Sequence, residues 1–308
     1  MRWSGAEELF LAVGKAGVLR WPLAEKGAPS TVLAGDQQAG GFFFACRLGA
    51  SASFLVAGSP FAGLTWVELP GGTRGPDFAQ SITVDLDVHG NRLLLLGARR
   101  DGEKTWAPDG AIAWLGSLDR RLEDLQPVLY SRTPHADGMA QCHFFDHGAV
   151  RFLADGSFVV IPGVEPGVFL FGADGKLRHA WEAADAGIDT GCGPAQGEAQ
   201  ATFARDWRLR YTAFLNRQRI LDDVVALPAG PGLIVRTVSA GVTRWQLTVL
   251  RPGQVARSYP LPVTSGTGFG HLRADARDGV LALLLVEYSE VGEQPAEPRR
   301  LLLVEGPP

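Results

Sequence analysis

An all-β propeller of six blades is the fold this sequence predicts, and three observations predict it. From Ala149 to Glu182 the chain reads as four apolar strands, AVRFL, SFVVIP, GVFLFG and KLRHAWE, separated by two A-D-G turns and one loop. Each strand is about five to seven residues rich in Val, Ile, Leu and Phe, and each turn places Gly where a positive φ is needed. Echoes of this four-stranded unit recur along the chain, and units of about 50 residues would use all 308 positions. The composition agrees, since 46% hydrophobic residues with 39 Gly and 20 Pro describe a turn-rich globule with a large core.

Taken in order, the N-terminal LFLAVGKAGVLRWPL and STVLAG read as outer strands of one blade. GGFFFACRL, SFLVAGSP and LTWVELP make the next, from about Gly41 to Leu69. SITVDLDVHGNRLLLLG (Ser81 to Gly97) is an inner strand pair folded at a Gly-bearing turn, completed by AIAWLGSLD and LQPVLYS. The 149–182 unit follows. DDVVALPAGPGLIVRTV (Asp222 to Val238) repeats the inner pair, with TRWQLTVL and VARSYPL outside it, and His271 to Gly306 forms the last blade. Both terminal blades look a strand short, so the ends are expected to meet in one sheet and remove its exposed edge. The roles of 1–3 and 73–79 are ambiguous, which leaves five or seven blades as alternatives.

The repeat form, with inner strands ending in D-x-x-G or A-D-G and an outer strand such as VFLFGADGKLR, resembles the six-bladed propellers of the NHL and TolB-like kind. The resemblance covers nearly the whole chain as a single domain, 1–308, and implies fold. That broad group includes peptide- and protein-binding modules, cell-envelope-associated proteins, and metal-dependent lactonases. In the lactonase-like members calcium is held by carboxylates and an amide at the blade entrances. This chain offers Asp146 and Asp222 there, without an obvious matching Glu and Asn.

Charge and composition narrow the partners. A net charge of −4 and a scarcity of lysine, with Arg making up most of the 29 basic residues, give no general attraction to polyanions, so nucleic acid is not expected. No apolar run reaches bilayer-spanning length and the first residues lack a signal-peptide pattern. The expectation is a monomer, cytoplasmic as given, or periplasmic or secreted if a signal was removed. Three cysteines, Cys46, Cys142 and Cys192, form no C-x-x-C; a Cys142–Cys192 disulfide is geometrically open.

The connections divide by length. Turns at 88–91, 154–156, 172–175 and 229–232 are short, whereas 98–110, 131–148, 183–221 and 289–298 are long. In a propeller the long set shares one face, and long loops tend to carry function. The 183–221 insertion carries Phe203, Trp207, Tyr211, Phe214 and Leu215 at helical spacing, which predicts an amphipathic helix over 199–220, a cap or a lid at the channel mouth with Arg217 or Arg219 reaching inward. Three of the six His residues cluster in HADGMAQCHFFDHG, with Asp137, Asp146 and Cys142 beside His135, His143 and His147. Such groups serve as ligand contacts, acid/base groups or metal ligands, or pack structurally. Ser81, Asp146, His147, Asp222, Asp223 and His271 open innermost strands, where short acidic side chains can equally cap backbone N–H groups.

No catalytic or phosphate-binding signature is present. The leading expectation is a non-catalytic propeller binding a peptide, protein loop or small ligand through His143, Asp146, His147, Trp207, Tyr211, Arg217, Asp222 and His271, with no cofactor. The alternative is a metal-assisted hydrolase or lyase using calcium or zinc at Asp146, His147, Asp222 and His271.

Overall fold

The computed structural model describes residues 2–4, 8–12, 18–22, 29–33, 45–48, 54–59, 63–68, 73–74, 81–99, 110–117, 125–130, 148–162, 167–189, 217–266, 270–288 and 295–306. All regular structure among them is β. The fold is an all-β propeller, built from successive antiparallel meanders.

Five sheets have four strands each, in chain order β1 (Arg2–Ser4), β2 (Glu8–Ala12), β3 (Val18–Pro22), β4 (Ser30–Leu33); β5 (Ala45–Leu48), β6 (Phe54–Ser59), β7 (Gly63–Glu68), β8 (Thr73–Arg74); β9 (Ser81–His89), β10 (Arg92–Arg99), β11 (Ala111–Ser117), β12 (Gln126–Tyr130); β13 (Ala149–Phe152), β14 (Phe158–Ile161), β15 (Val168–Phe171), β16 (Leu177–Trp181); and β17 (Ile220–Leu227), β18 (Gly230–Ser239), β19 (Val242–Val249), β20 (Arg257–Ser265). The last sheet, β21 (Gly270–Arg277), β22 (Val280–Tyr288) and β23 (Pro295–Glu305), has three. Among the described residues, five complete blades therefore stand where six were expected. The N-terminal sheet is complete from its own strands, because the short RWS segment pairs with β2 in the register Arg2↔Phe10, Trp3↔Leu9, Ser4↔Glu8. A three-residue strand is too short to show periodicity in sequence. The expected joining of the two ends in one sheet is not found among the described residues. Thr73–Arg74, also ambiguous, closes the second sheet as β8.

The helix expected over 199–220 lies, up to residue 216, outside the described residues. Its last residues are not helical: Arg217 and Gln218 form a turn, and Ile220 opens β17, where the β-branched and apolar run ILDDVVAL takes over.

By contact density the chain divides into two compact units, one comprising 1–134, 149–160 and 171–176 and the other 135–148, 161–170 and 177–308. In the first, Leu86, Leu94, Leu95, Ala113, Val150 and Phe158 are fully buried. Its two A-D-G turns share one construction. Gly156 donates to the Leu153 carbonyl at 3.0 Å and Gly175 to that of Gly172 at 2.9 Å, each with φ near +80°. Asp155 and Asp174 accept from the N–H two residues on, at 3.0 and 3.2 Å. Arg92 holds both turns, donating to the carbonyls of Gly156 and Ala173 at 2.8 Å each, with its guanidinium 5.0 Å above the Phe152 ring. Burial lowers the Arg92 pKa from its ordinary value.

In the second unit, Val225, Ile234, Trp245, Leu247, Val263, Leu272, Ala274, Leu281, Leu283 and Leu285 form one core. These positions come from β17–β22, and on β17, β18 and β22 the intervening Val224, Leu233, Val235, Ala282 and Leu284 are buried too, as in strands covered on both faces.

Candidate functional site: the entrances of the innermost strands

Among the described residues, most of the buried charge lies on β9, β13, β17 and β21, the strands that begin their sheets. On β9, Asp85 and Asp87 are two residues apart and so share a face; Asp85 accepts from the Val150 N–H at 3.0 Å and Asp87 from the Phe152 N–H at 2.7 Å. Both donors lie on β13, the innermost strand of the next sheet. The steps 85 to 150 and 87 to 152 run in the same direction, so the two strands are parallel. Between the two donors sits Arg151, fully buried, with Nη1 3.9 Å from Asp87 Oδ1.

The second unit repeats this device. Asp222 accepts from the Leu272 N–H at 3.1 Å and Asp223 from the Ala274 N–H at 2.9 Å, again tying parallel innermost strands, β17 and β21. Here the acids are adjacent in sequence. The register slips between Leu221 and Asp223, and this bulge lets both carboxylates serve the same neighbour. Arg273, placed as Arg151 is, donates to the Asp222 carbonyl at 3.1 Å. Asp222 Oδ2 also accepts from Trp245 Nε1 at 2.6 Å, and Oδ1 faces Arg236 Nε at 3.6 Å and His271 Nδ1 at 3.5 Å. Burial lowers the His271 pKa; the Asp222 carboxylate opposes this, and Arg236 and Arg273 add to it.

Of the sequence-derived candidates, the structure therefore brings Asp222 and His271 together. Asp222 is buried, whereas the His271 side chain is 27% exposed at the entrance of β21. Arg217 is exposed in the turn leading into the parallel strand β17, at the same end. His143, Asp146, His147, Trp207 and Tyr211 lie outside the described residues, as do Cys142 and Cys192. Arg219, the other candidate to reach inward, is instead paired with Asp189. Its Nη2 and Nε donate to Oδ1 at 2.7 and 3.2 Å, its N–H donates to Oδ2 at 2.8 Å, and the Asp189 N–H donates to the Arg219 carbonyl at 2.8 Å. Partial burial raises the Asp189 carboxyl, but the hydrogen bonds and charge of Arg219 outweigh it and hold the pKa below the ordinary carboxylate value.

Sequence reasoning passed over Asp85, Asp87, Arg92 and Arg151. The available signal was V-D-L-D-V, two acids on one face of an otherwise apolar strand, which must be paired if buried.

The calcium site implied by the lactonase-like resemblance fits this arrangement poorly. A cation at Asp222 would meet Arg236 within 3.6 Å of the same oxygen and displace a tryptophan or backbone donor from the other. Among the described residues no group of three or more His, Cys, Asp or Glu is gathered for a metal, and no helix is long and apolar enough to cross a membrane.

No protein-family model matches the sequence, and no curated protein matches it. Among solved structures the chain is similar to that of U3-55K, at 12% identity over 97% of this chain and 77% of that one, with a TM-score of 0.52. It is similar to a chain of a mitotic checkpoint complex, at 9% identity over 98% of this chain and 86% of that one, with a TM-score of 0.53. The RRP9 WD40 repeats match at 12% identity over 90% of this chain and 69% of that one, with a TM-score of 0.48. At these identities the first two likenesses show the fold alone. They support a β-propeller and do not establish the NHL or TolB-like kind.

Proposed function

We propose that the chain is a non-catalytic binding scaffold that takes a peptide or a protein loop at the entrance end of its innermost strands. The observation that carries this reading is the division of labour at that end. Asp222 and Asp223 are committed to joining β17 to β21, while Arg217, exposed in the turn before β17, and His271, partly exposed at the start of β21, face the surface at the same end. Aromatic and Arg side chains are the usual anchors of interfaces, and Trp207 and Tyr211 in the adjoining insertion complete the set we assign, with His143, Asp146 and His147 from the long 131–148 connection. In this reading Asp222 positions His271 from beneath. A chain of similar fold works within a mitotic checkpoint complex, which is consistent with an assembly role. We also read the three-stranded sheet β21–β23 as an incomplete sixth blade.

The test is capture of protein partners from a native lysate on the immobilised chain, compared with a Trp207→Ala/Arg217→Glu double variant. The reading expects specifically retained proteins to be lost from the variant while its melting temperature stays unchanged. Equal retention by a folded variant would refute it.

A further inference from the structure

The opposite end of the β17–β20 sheet carries a second surface. From Val224 to Ala274 the chain contains no Asp or Glu and five Arg, although its net charge is −4. Arg236 and Arg273 of this set are turned to Asp222. Arg251 and Arg257 flank the turn between β19 and β20, which is fixed by the Gln254 N–H donating to the Arg251 carbonyl at 3.1 Å and by Gly253 at φ +72°. A shallow notch opens between this turn and the one joining β17 to β18, lined by Leu227, Val249, Val255 and Tyr259 with both arginines at its rim. Leu227 and Tyr259 pack on the core below, and Val255 is 92% exposed. An exposed valine alone is ordinary. Here it borders an apolar recess with two arginines at its rim, and from Val224 to Ala274 the sequence places no acid beside them.

We infer that this notch docks a short acidic peptide segment that lays one apolar side chain across its apolar lining. The recess supplies the apolar contact, and the paired guanidiniums supply carboxylate recognition, for which arginine's planar fork is suited. A basic partner would be repelled, and a purely apolar one would leave both charges without use.

The test is selection of random dodecapeptides displayed on phage against the full chain, followed by anisotropy titration of the selected peptides. The expected consensus is two or more Asp or Glu beside one Leu, Ile, Phe or Trp. Arg251→Glu/Arg257→Glu and, separately, Val255→Asp should each weaken binding about tenfold or more, with melting unchanged because the sites are at the surface. Trp207→Ala/Arg217→Glu should leave this binding intact, separating it from the proposed partner site. Failure to select any peptide, a consensus without acids, or equal affinity for the charge-reversed variant would overturn the inference. So would arginine-dependent binding of phosphatidylserine vesicles without peptide binding, since the surface would then recognise a membrane.

Discussion

At the scale of single residues, the buried carboxylates decide what this end of the molecule can do. Asp222 sits against two neutral donors and a nearby guanidinium, all within the core. Removing it takes the acceptor from those donors and the carboxylate from beside Arg236, so Asp222→Ala should cost about 3–5 kcal/mol in urea unfolding, and Asp87→Ala, which removes the carboxylate beside fully buried Arg151, a comparable amount. Asp222→Asn, retaining one acceptor, should cost less. His271 gives a pH signature. Its folded pKa lies below the ordinary value of 6.5, so the unfolded chain takes up the proton more readily. The stability contribution is complete above that pH and is lost as pH falls below it. Unfolding midpoints of the wild type should therefore fall between neutral pH and about pH 5 more steeply than those of His271→Gln. Parallel curves would show that the imidazole is not held neutral by the fold. The backbone donors to these acids were not legible locally, because each lies 50 to 65 residues away, on the next innermost strand.

Elements were legible to the degree that their signal is local. The A-D-G turns repeat one set of hydrogen bonds because Asp and Gly meet the demands of the turn themselves, and the strands of the 149–182 unit fall where the apolar runs place them. Strand β1 escaped notice because three residues carry no period. The bulge at Asp222 escaped because adjacent acids read as an ordinary turn cap. The Asp189–Arg219 clasp belongs to this scale, since it joins the two ends of the 190–218 segment through four hydrogen bonds. Both side chains are partly exposed, so solvent screening reduces the ion pair and Asp189→Asn should cost only about 1 kcal/mol. A loss well above that in urea unfolding would mean the segment packs against the sheets through this clasp far more strongly than its exposure implies.

For the whole molecule, recurrence of one unit revealed the propeller, while the number of complete blades depended on short strands that composition cannot fix. The function followed the same division. Fold and structural polar groups can be read from strand pattern and burial, whereas the binding residues we propose lie mostly in long connections whose sequences obey no period. The proposal turns on one point: Asp85, Asp87, Asp222 and Asp223 accept from backbone N–H groups of the next innermost strand, and we propose that the start of β17 and β21 therefore binds a partner instead of holding a catalytic metal. Urea unfolding of wild type and Asp222→Asn, each with and without millimolar calcium or zinc, tests it most directly. The account predicts that neither ion raises the wild-type midpoint and that Asp222→Asn is destabilised equally in all conditions. A midpoint raised by either ion in the wild type but not in Asp222→Asn would contradict it.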